Sequence, residues 1–410
     1  MAAARSDQTA LTHTAAAGEL SADDLRTAYR LMLLSRRLDD KEIQLKNQSQ
    51  IYFQISGAGH EAILVAAGMT LRPGHDWFNA YYRDRALCLA LGVTPYDMLL
   101  QAVGAKDDPA SHGRQMPSHW SNPALHIISQ GSPTGTQCLQ SVGVAEAGRI
   151  YERIDAIPDR ERFFESDEVV YCSVGDGATS EGEFWESLNT ACHEKLPLVY
   201  VVEDNGYAIS VPVEVQTAGG SISNLVERFP HLKVIRVDGC DFVKSYAAMY
   251  DASQWARERR GPALVHASVT RPYSHSLSDD ERLYKTPAER AAEAERDPIA
   301  QLKTLLLREG LATESDLDQI LVSVDREIAD ATERALAAER PARSTAADWV
   351  FSPDVDPTSQ AFDTPAETTG KPDTMVAAIN RTLRDEMAEN PRIVVFGQDV
   401  ADCSREDHLS

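Results

Sequence analysis

The sequence predicts an α/β fold: a mostly parallel sheet with helices on both faces, and helical segments at the N- and C-terminal ends. Three observations carry that prediction. Short apolar runs at 169–174, 198–202, 233–237 and 263–269 read as strands, the first nearly continuous as in a strand buried on both faces. Segments of helical period lie between them, with Phe184, Leu188 and Ala191 on one stripe and Phe242, Tyr246, Met249 and Tyr250 on another. Alternation of strand and helix in this way builds a parallel sheet through right-handed crossovers.

The elements follow in order. Residues 1–20 are rich in Ala and Thr without periodicity and are expected to be disordered. Ser21 then caps a helix, with Asp24 three residues on as a capping-box partner. Leu25, Ala28, Tyr29 and Met32 recur at helical spacing, so this opening helix should run to about Lys46. The strand–helix units come next, then a helical zone from about 297 to 339, giving one expected domain over 21–339. Residues 340–373 carry Pro341, Pro353, Pro357, Pro365 and Pro372 among many Ser, Thr and Asp, the composition of a linker. Beyond it, Met375, Ile379, Leu383 and Met387 mark a further helix, and 393–396 reads as a strand. One helix and one strand bury too little to stand alone. Residues 374–410 are therefore expected to begin a second domain that is cut short, or to dock elsewhere.

Composition narrows the functional classes. A chain of 410 residues with 43% hydrophobic content can build a substantial core. No apolar run has the length of a membrane span, and the N-terminus lacks a secretory apolar core, so a cytoplasmic, membrane-free protein is expected. A net charge of −23 opposes nucleic-acid binding and fits either solubility or an acidic face for a basic partner. Six scattered cysteines (Cys88, Cys138, Cys172, Cys192, Cys240, Cys403) contain no Cys-x-x-Cys pair, so they read as small core hydrophobes.

The chemistry concentrates in two turns. Gly175-Asp176-Gly177 follows one strand, and Asn205-Gly206-Tyr207 follows the next. Parallel strands would bring Asp176 and Asn205 out at one sheet edge. The Rossmann fingerprint fails because Gly182 comes two residues late, and a P-loop fails because Glu183 stands where Lys belongs. What remains is a tight turn in which Gly177 lets a ligand approach and Asp176 offers a carboxylate. Asp176, the Asn205 side chain and the Tyr207 carbonyl can give three oxygens to Mg²⁺, with two diphosphate oxygens and a water completing the octahedron.

With these residues the chain resembles the thiamine diphosphate-dependent E1 components of 2-oxoacid dehydrogenase complexes, alpha-subunit type. The family motif is Gly-Asp-Gly, a helix and strand, then Asn-Asn; here the first Asn is replaced by Asp204, and the metal-binding second one is Asn205. The phrase Asn205-Gly206-Tyr207-Ala208-Ile209-Ser210 is most similar to branched-chain enzymes. The resemblance covers about 25–335 and implies a thiamine diphosphate-binding fold. It makes Tyr82 and Arg83 diphosphate contacts and Ser132 and Thr134 part of the loop meeting the aminopyrimidine ring, with a K⁺ near Ser132–Gln137 in some relatives. It extends the cofactor shell to Ala178 and Glu203. Gly113-Arg114-Gln115-Met116-Pro117 matches a phrase near the active site. His275, in Ser274-His275-Ser276-Leu277-Ser278-Asp279, becomes the active-site histidine, expected to titrate near neutrality, and Ser276 the position phosphorylated in mitochondrial relatives.

The implied activity is decarboxylation of a branched-chain 2-oxoacid and acyl transfer to lipoyl-lysine of an E2 partner. Residues 374–400 resemble the start of the family's beta subunit, so a beta-type chain or domain is expected to complete the site. Pyruvate or acetoin dehydrogenase alpha subunits, and a non-catalytic assembly subunit, stay open as alternatives.

Overall fold

The computed structural model describes residues 20–352, 354–363 and 371–397. The expected disorder of the N-terminus, Cys403 and the last residues of the tail lie outside these. Contacts define two compact units, one within Met1–Arg149 and Glu165–Ala346, the other within Ile150–Phe164 and Ala347–Ser410.

The larger unit is built on a five-stranded parallel sheet. Its strands are β1 (Trp77–Asn79), β2 (Val170–Gly175), β3 (Leu198–Asp204), β6 (Lys233–Asp238) and β7 (Ala263–Ser268), in the order β1-β2-β3-β7-β6. β4 (Tyr207–Ala208) and β5 (Val211–Pro212) form a small antiparallel ribbon apart from it. The four strands expected from the sequence are present. β1 was not legible, because three residues are too few to show alternation; it joins the sheet through Phe78↔Tyr171.

Helices cover both faces, as predicted. In the larger unit they are α1 (Ala22–Asn47), α2 (Glu61–Thr70), α3 (Arg85–Leu91), α4 (Pro95–Val103), α5 (Thr136–Arg153), α6 (Gly182–Glu194), α7 (Val213–Gln216), α8 (Ile222–Val226), α9 (Phe242–Arg257), α10 (Pro287–Glu295), α11 (Pro298–Arg308) and α12 (Glu314–Ala337), with α5 running into the second unit. Two apolar cores result from strand alternation. Val199 and Val201 join α1, α2, α9, α11 and α12 on one face, whereas Leu198, Tyr200 and Val202 join α5, α6 and α8 on the other. The capping box at Ser21 is formed, with Ser21 Oγ accepting from the Asp24 N–H at 3.1 Å. The helical zone at 297–339 proves to be two helices. Gly310, at φ +64°, ends the first turn-like stretch after α11, and Thr313 caps α12 with Asp316. The five described cysteines are buried and free, as expected of core hydrophobes.

In the second unit, α13 (Met375–Glu389) forms behind the cap Thr374, which accepts from the Ala377 N–H. The strand expected at 393–396 does not form; these residues are irregular. A strand needs a neighbour to satisfy its backbone groups, and apolar residues alone do not supply one.

Candidate active site

β2 and β3 pair in register with Gly175 opposite Glu203, so the residues that follow them leave the sheet at the same edge. Asp176 opens a 3₁₀ turn, Asp176–Ser180, that leads into α6. Its side chain is buried, and Oδ2 has no hydrogen-bond partner. Burial, and then the neighbouring Asp204 carboxylate, push Asp176 up to about 7. A buried acceptor without a donor, set beside a second carboxylate, suits a cation. Asn205 is also buried, and its Oδ1 accepts from the Tyr207 N–H at 3.3 Å. Gly206 at φ +80° makes that turn possible. Among the described residues no three His, Cys, Asp or Glu side chains converge on a point.

Gly177 also has a steric reason to be glycine. A Cβ there would stand 2.9 Å from the Ala208 Cβ, so glycine lets the β4 ribbon close over the turn. Gln216 holds the same turn by donating from Nε2 to the Asp176 carbonyl (2.8 Å) and to Ser180 Oγ (3.0 Å). Gly177→Ala is expected to destabilise the fold by about 1–3 kcal/mol through overpacking. A thermal melt of the variant checks this; an unchanged midpoint would show that the ribbon yields freely.

Arg83 and His275 meet at this edge. Arg83 is buried and donates from Nη1 to the Ser56 carbonyl. Its Nη2 donates to His275 Nδ1 at 3.2 Å and to the His275 carbonyl at 3.1 Å. The Tyr82 ring packs edge-on to the His275 ring at 6.2 Å. His275 does not titrate near neutrality as expected. Burial, then the charges of Arg83 and Arg271, lower it to about 4. Arg271 gained no role from the sequence, yet it is buried with Nε and Nη1 unpartnered. Its Nη2 donates to the Ile209 carbonyl and to the Tyr284 hydroxyl, both at 2.8 Å. Tyr284 donates on to Asp279 at 2.5 Å, and Asp279 accepts the His275 N–H at 2.9 Å. Two buried guanidinium groups, one with free donors, call for an anion, and phosphate oxygens match their fork geometry. A basic residue three positions beyond the end of β7 is a signal that could have found Arg271.

Glu203 lies on the inward side of β3. As an odd-numbered residue of β3 it follows Val199 and Val201 inward, and it is fully buried. Its Oε2 lies 2.6 Å from His60 Nδ1, and its Oε1 has no hydrogen-bond partner. Burial and then Asp84 push Glu203 well above the carboxylate range, and burial raises Asp84 as well. Burial, then Arg83, Arg271 and Lys285, keep His60 neutral. The His60–Glu203 contact is thus a neutral hydrogen bond. Asp204 points to the opposite face. It accepts from Gly206 N–H at 2.9 Å and lies 2.8 Å from His266 Nε2. The replacement of the family's first Asn therefore adds a charge near Asp176 whose oxygens are already held.

The remaining expected residues lie in turns. Ser132 and Thr134 are exposed, and Ser132 Oγ is 2.8 Å from His119 Nε2. Gly135, in the same turn, abuts Glu181 and the Ala178 carbonyl, which brings this loop against the Asp176 turn. Gln137 donates to the Ser173 carbonyl at 3.0 Å. The Gly113–Pro117 phrase is on a loop where Arg114 donates to the His112 and Thr345 carbonyls. The Tyr207 hydroxyl donates to Glu289 at 2.9 Å. Ser276 is buried with its hydroxyl 2.9 Å from that of Ser278.

A parallel α/β sheet with carboxylate, carboxamide and buried guanidinium groups at one edge defines a protein suited to a metal-associated anion. Residues 29–344 match the family Dehydrogenase E1 component, and the chain belongs to that family. It is 32% identical over 324 residues to the 2-oxoisovalerate dehydrogenase subunit alpha of Bacillus subtilis, covering 79% of this chain and 94% of the relative. It is 33% identical over 303 residues to the 3-methyl-2-oxobutanoate dehydrogenase subunit alpha of Mycobacterium tuberculosis, covering 74% and 76%. The pyruvate dehydrogenase E1 component subunit alpha of Mycoplasma pneumoniae is 29% identical over 316 residues, covering 77% and 81%. The family implies thiamine diphosphate as cofactor. Among the described residues no helix is long and apolar enough to cross a membrane.

Proposed function

We propose that this chain is the alpha-type part of a 2-oxoacid dehydrogenase E1 component that acts on a branched-chain 2-oxoacid and passes the acyl group to lipoyl-lysine of an E2 partner. The observation that carries the reading is the buried, unpartnered Asp176 Oδ2 on the same sheet edge as the unpartnered donors of Arg271. Thiamine diphosphate, when bound, supplies the electron sink that decarboxylation of a 2-oxoacid requires. Asp176, Asn205 and the Tyr207 carbonyl would hold Mg²⁺. Arg83, with Arg271 beside it, would hold the diphosphate, while Tyr82, Ser132, Thr134, Gly177 and Ala178 would border the cofactor. Glu203 would act from behind the metal end. His275, neutral and carrying its proton on Nε2 because Nδ1 accepts from Arg83, can donate or accept a proton at the reacting centre. The Ser132–Gln137 turn is the proposed place for a K⁺ ion.

The domain proposal is an E1 alpha-type domain over 21–339, a linker over 340–373, and the beginning of a beta-type domain over 374–410. The exposure of Met375, Val376, Ile379, Leu383 and Met387 along α13 supports it, because such a stripe ordinarily packs against a partner. A beta-type chain would then complete the active site.

The test pairs the full chain with and without a beta-type chain, using 3-methyl-2-oxobutanoate and pyruvate with an artificial electron acceptor. No turnover is expected from the chain alone. With the partner, kcat/KM should favour the branched substrate, which carries two more carbons than pyruvate, by at least the roughly 10–200-fold that one methylene allows. Turnover without a partner, or preference for pyruvate, would overturn the respective part of the reading.

A further inference from the structure

We infer that His60 is a positioning residue for Asn205: its ring decides which edge of that carboxamide faces the metal end of the site. This deepens the function proposed above and rests on Asn205 being a metal ligand.

His60 is the N-cap residue of α2 and is fully buried. It touches two polar groups at once. Nδ1 is 2.6 Å from Glu203 Oε2, and Nε2 is 3.4 Å from Asn205 Nδ2. A neutral imidazole has one donor nitrogen and one acceptor. The amide nitrogen of Asn205 can only donate, so Nε2 must accept and Nδ1 must carry the proton toward Glu203. The opposite tautomer would set two N–H groups against each other between two buried side chains. Turning the amide over would relieve that clash, but it would then point NH₂ at the Tyr207 N–H, which now donates to Oδ1 at 3.3 Å. Tautomer and amide orientation therefore fix each other, and the result leaves an Asn205 oxygen lone pair free for a cation.

The ring itself has little freedom. Gly59, at φ +90°, packs so closely that a Cβ would stand 2.1 Å from the Thr270 carbonyl oxygen, and its N–H donates to Glu61 at 2.8 Å. Behind Glu203, Asp84 accepts from Ser173 Oγ at 2.5 Å and from the Tyr81 N–H at 3.1 Å. Asp84 adjoins Arg83 in the chain and is itself buried. Groups behind a metal ligand ordinarily set its orientation in this manner.

The experiment uses the full chain assembled with a beta-type partner, Mn²⁺ as the probe, and thiamine diphosphate. Electron paramagnetic resonance gives the Mn²⁺ affinity of the parent, His60→Leu and His60→Gln. His60→Leu should weaken binding about 10–100-fold. His60→Gln, which keeps one donor and one acceptor, should stay within about threefold of the parent. Equal losses in both variants would indicate packing alone and overturn the inference, as would full affinity in His60→Leu. Should the leucine variant not fold, ¹⁵N-histidine NMR of the parent decides: a proton on Nδ1 is expected, and a proton on Nε2 overturns the inference. A parent that binds no Mn²⁺ in the presence of thiamine diphosphate overturns the metal reading, and this inference falls with it.

Discussion

Asp176→Asn is expected to weaken Mg²⁺–thiamine diphosphate binding by about 100-fold or more, because on the proposed reading it removes the carboxylate charge that would face the metal. The same change should stabilise the cofactor-free protein at neutral and alkaline pH. Asp176 has its pKa raised from 3.8 to about 7, first by burial and then by Asp204. The folded state thus binds its proton more tightly than the unfolded chain does. Ionising Asp176 costs folding energy that is absent below pH 4, grows between pH 4 and 7, and is fully present above 7. At about 1.4 kcal/mol per unit, its size is of the order of 4 kcal/mol. Calorimetric melts of both proteins should coincide near pH 4 and separate by pH 8, with the asparagine variant the more stable. Titration calorimetry should show the reverse order for cofactor binding. A variant that is less stable at pH 8, or that binds as tightly as the parent, would remove Asp176 from the metal site.

Arg83→Met should produce the second large effect, a loss of about 2–5 kcal/mol in thiamine diphosphate affinity, typical of removing one member of a buried charge pair. It should also release His275. That histidine is held at about 4 by burial and by the charges of Arg83 and Arg271, so loss of Arg83 should carry its pKa part of the way back toward 6.5. Adding inorganic pyrophosphate to the parent should move it in the same direction, by neutralising both guanidinium groups at once. Histidine NMR across pH 3–8 reads both shifts, with His275→Gln assigning the signal. A pKa that stays near 4 in both experiments would mean that burial alone controls the ring. A rise in both would mean that the diphosphate itself brings the site histidine nearer its working range.

Much of this was legible in the sequence, for identifiable reasons. The runs at 169–174 and 198–202 were continuous because those strands are covered on both faces, and continuity is what a single sequence displays well. Asp176 and Asn205 were legible because turns after parallel strands put their side chains at one edge. His60, Arg271 and Asp84 were not, since each acts through a partner far away in the chain: His60 meets Glu203 across 143 positions. Periodicity carries no information at that range. One signal was present and went unused. A glutamate at an inward-facing position of β3, in line with Val199 and Val201, requires a buried partner. Gly177 shows a second limit, since the steric reason for glycine comes from Ala208, 31 positions away in the chain, and only the fold reveals it. The strand expected at 393–396 failed because pairing is a property of neighbours rather than of apolar residues.

The consecutive residues Glu203 and Asp204 reach opposite faces of the sheet, and each meets a histidine there, His60 on one side and His266 on the other. The loop carrying Asn205 is consequently bolted to both halves of the interior before any ligand arrives. Exchanging Glu203 or Asp204 alone would strand a histidine on one side, so each is best altered together with its histidine.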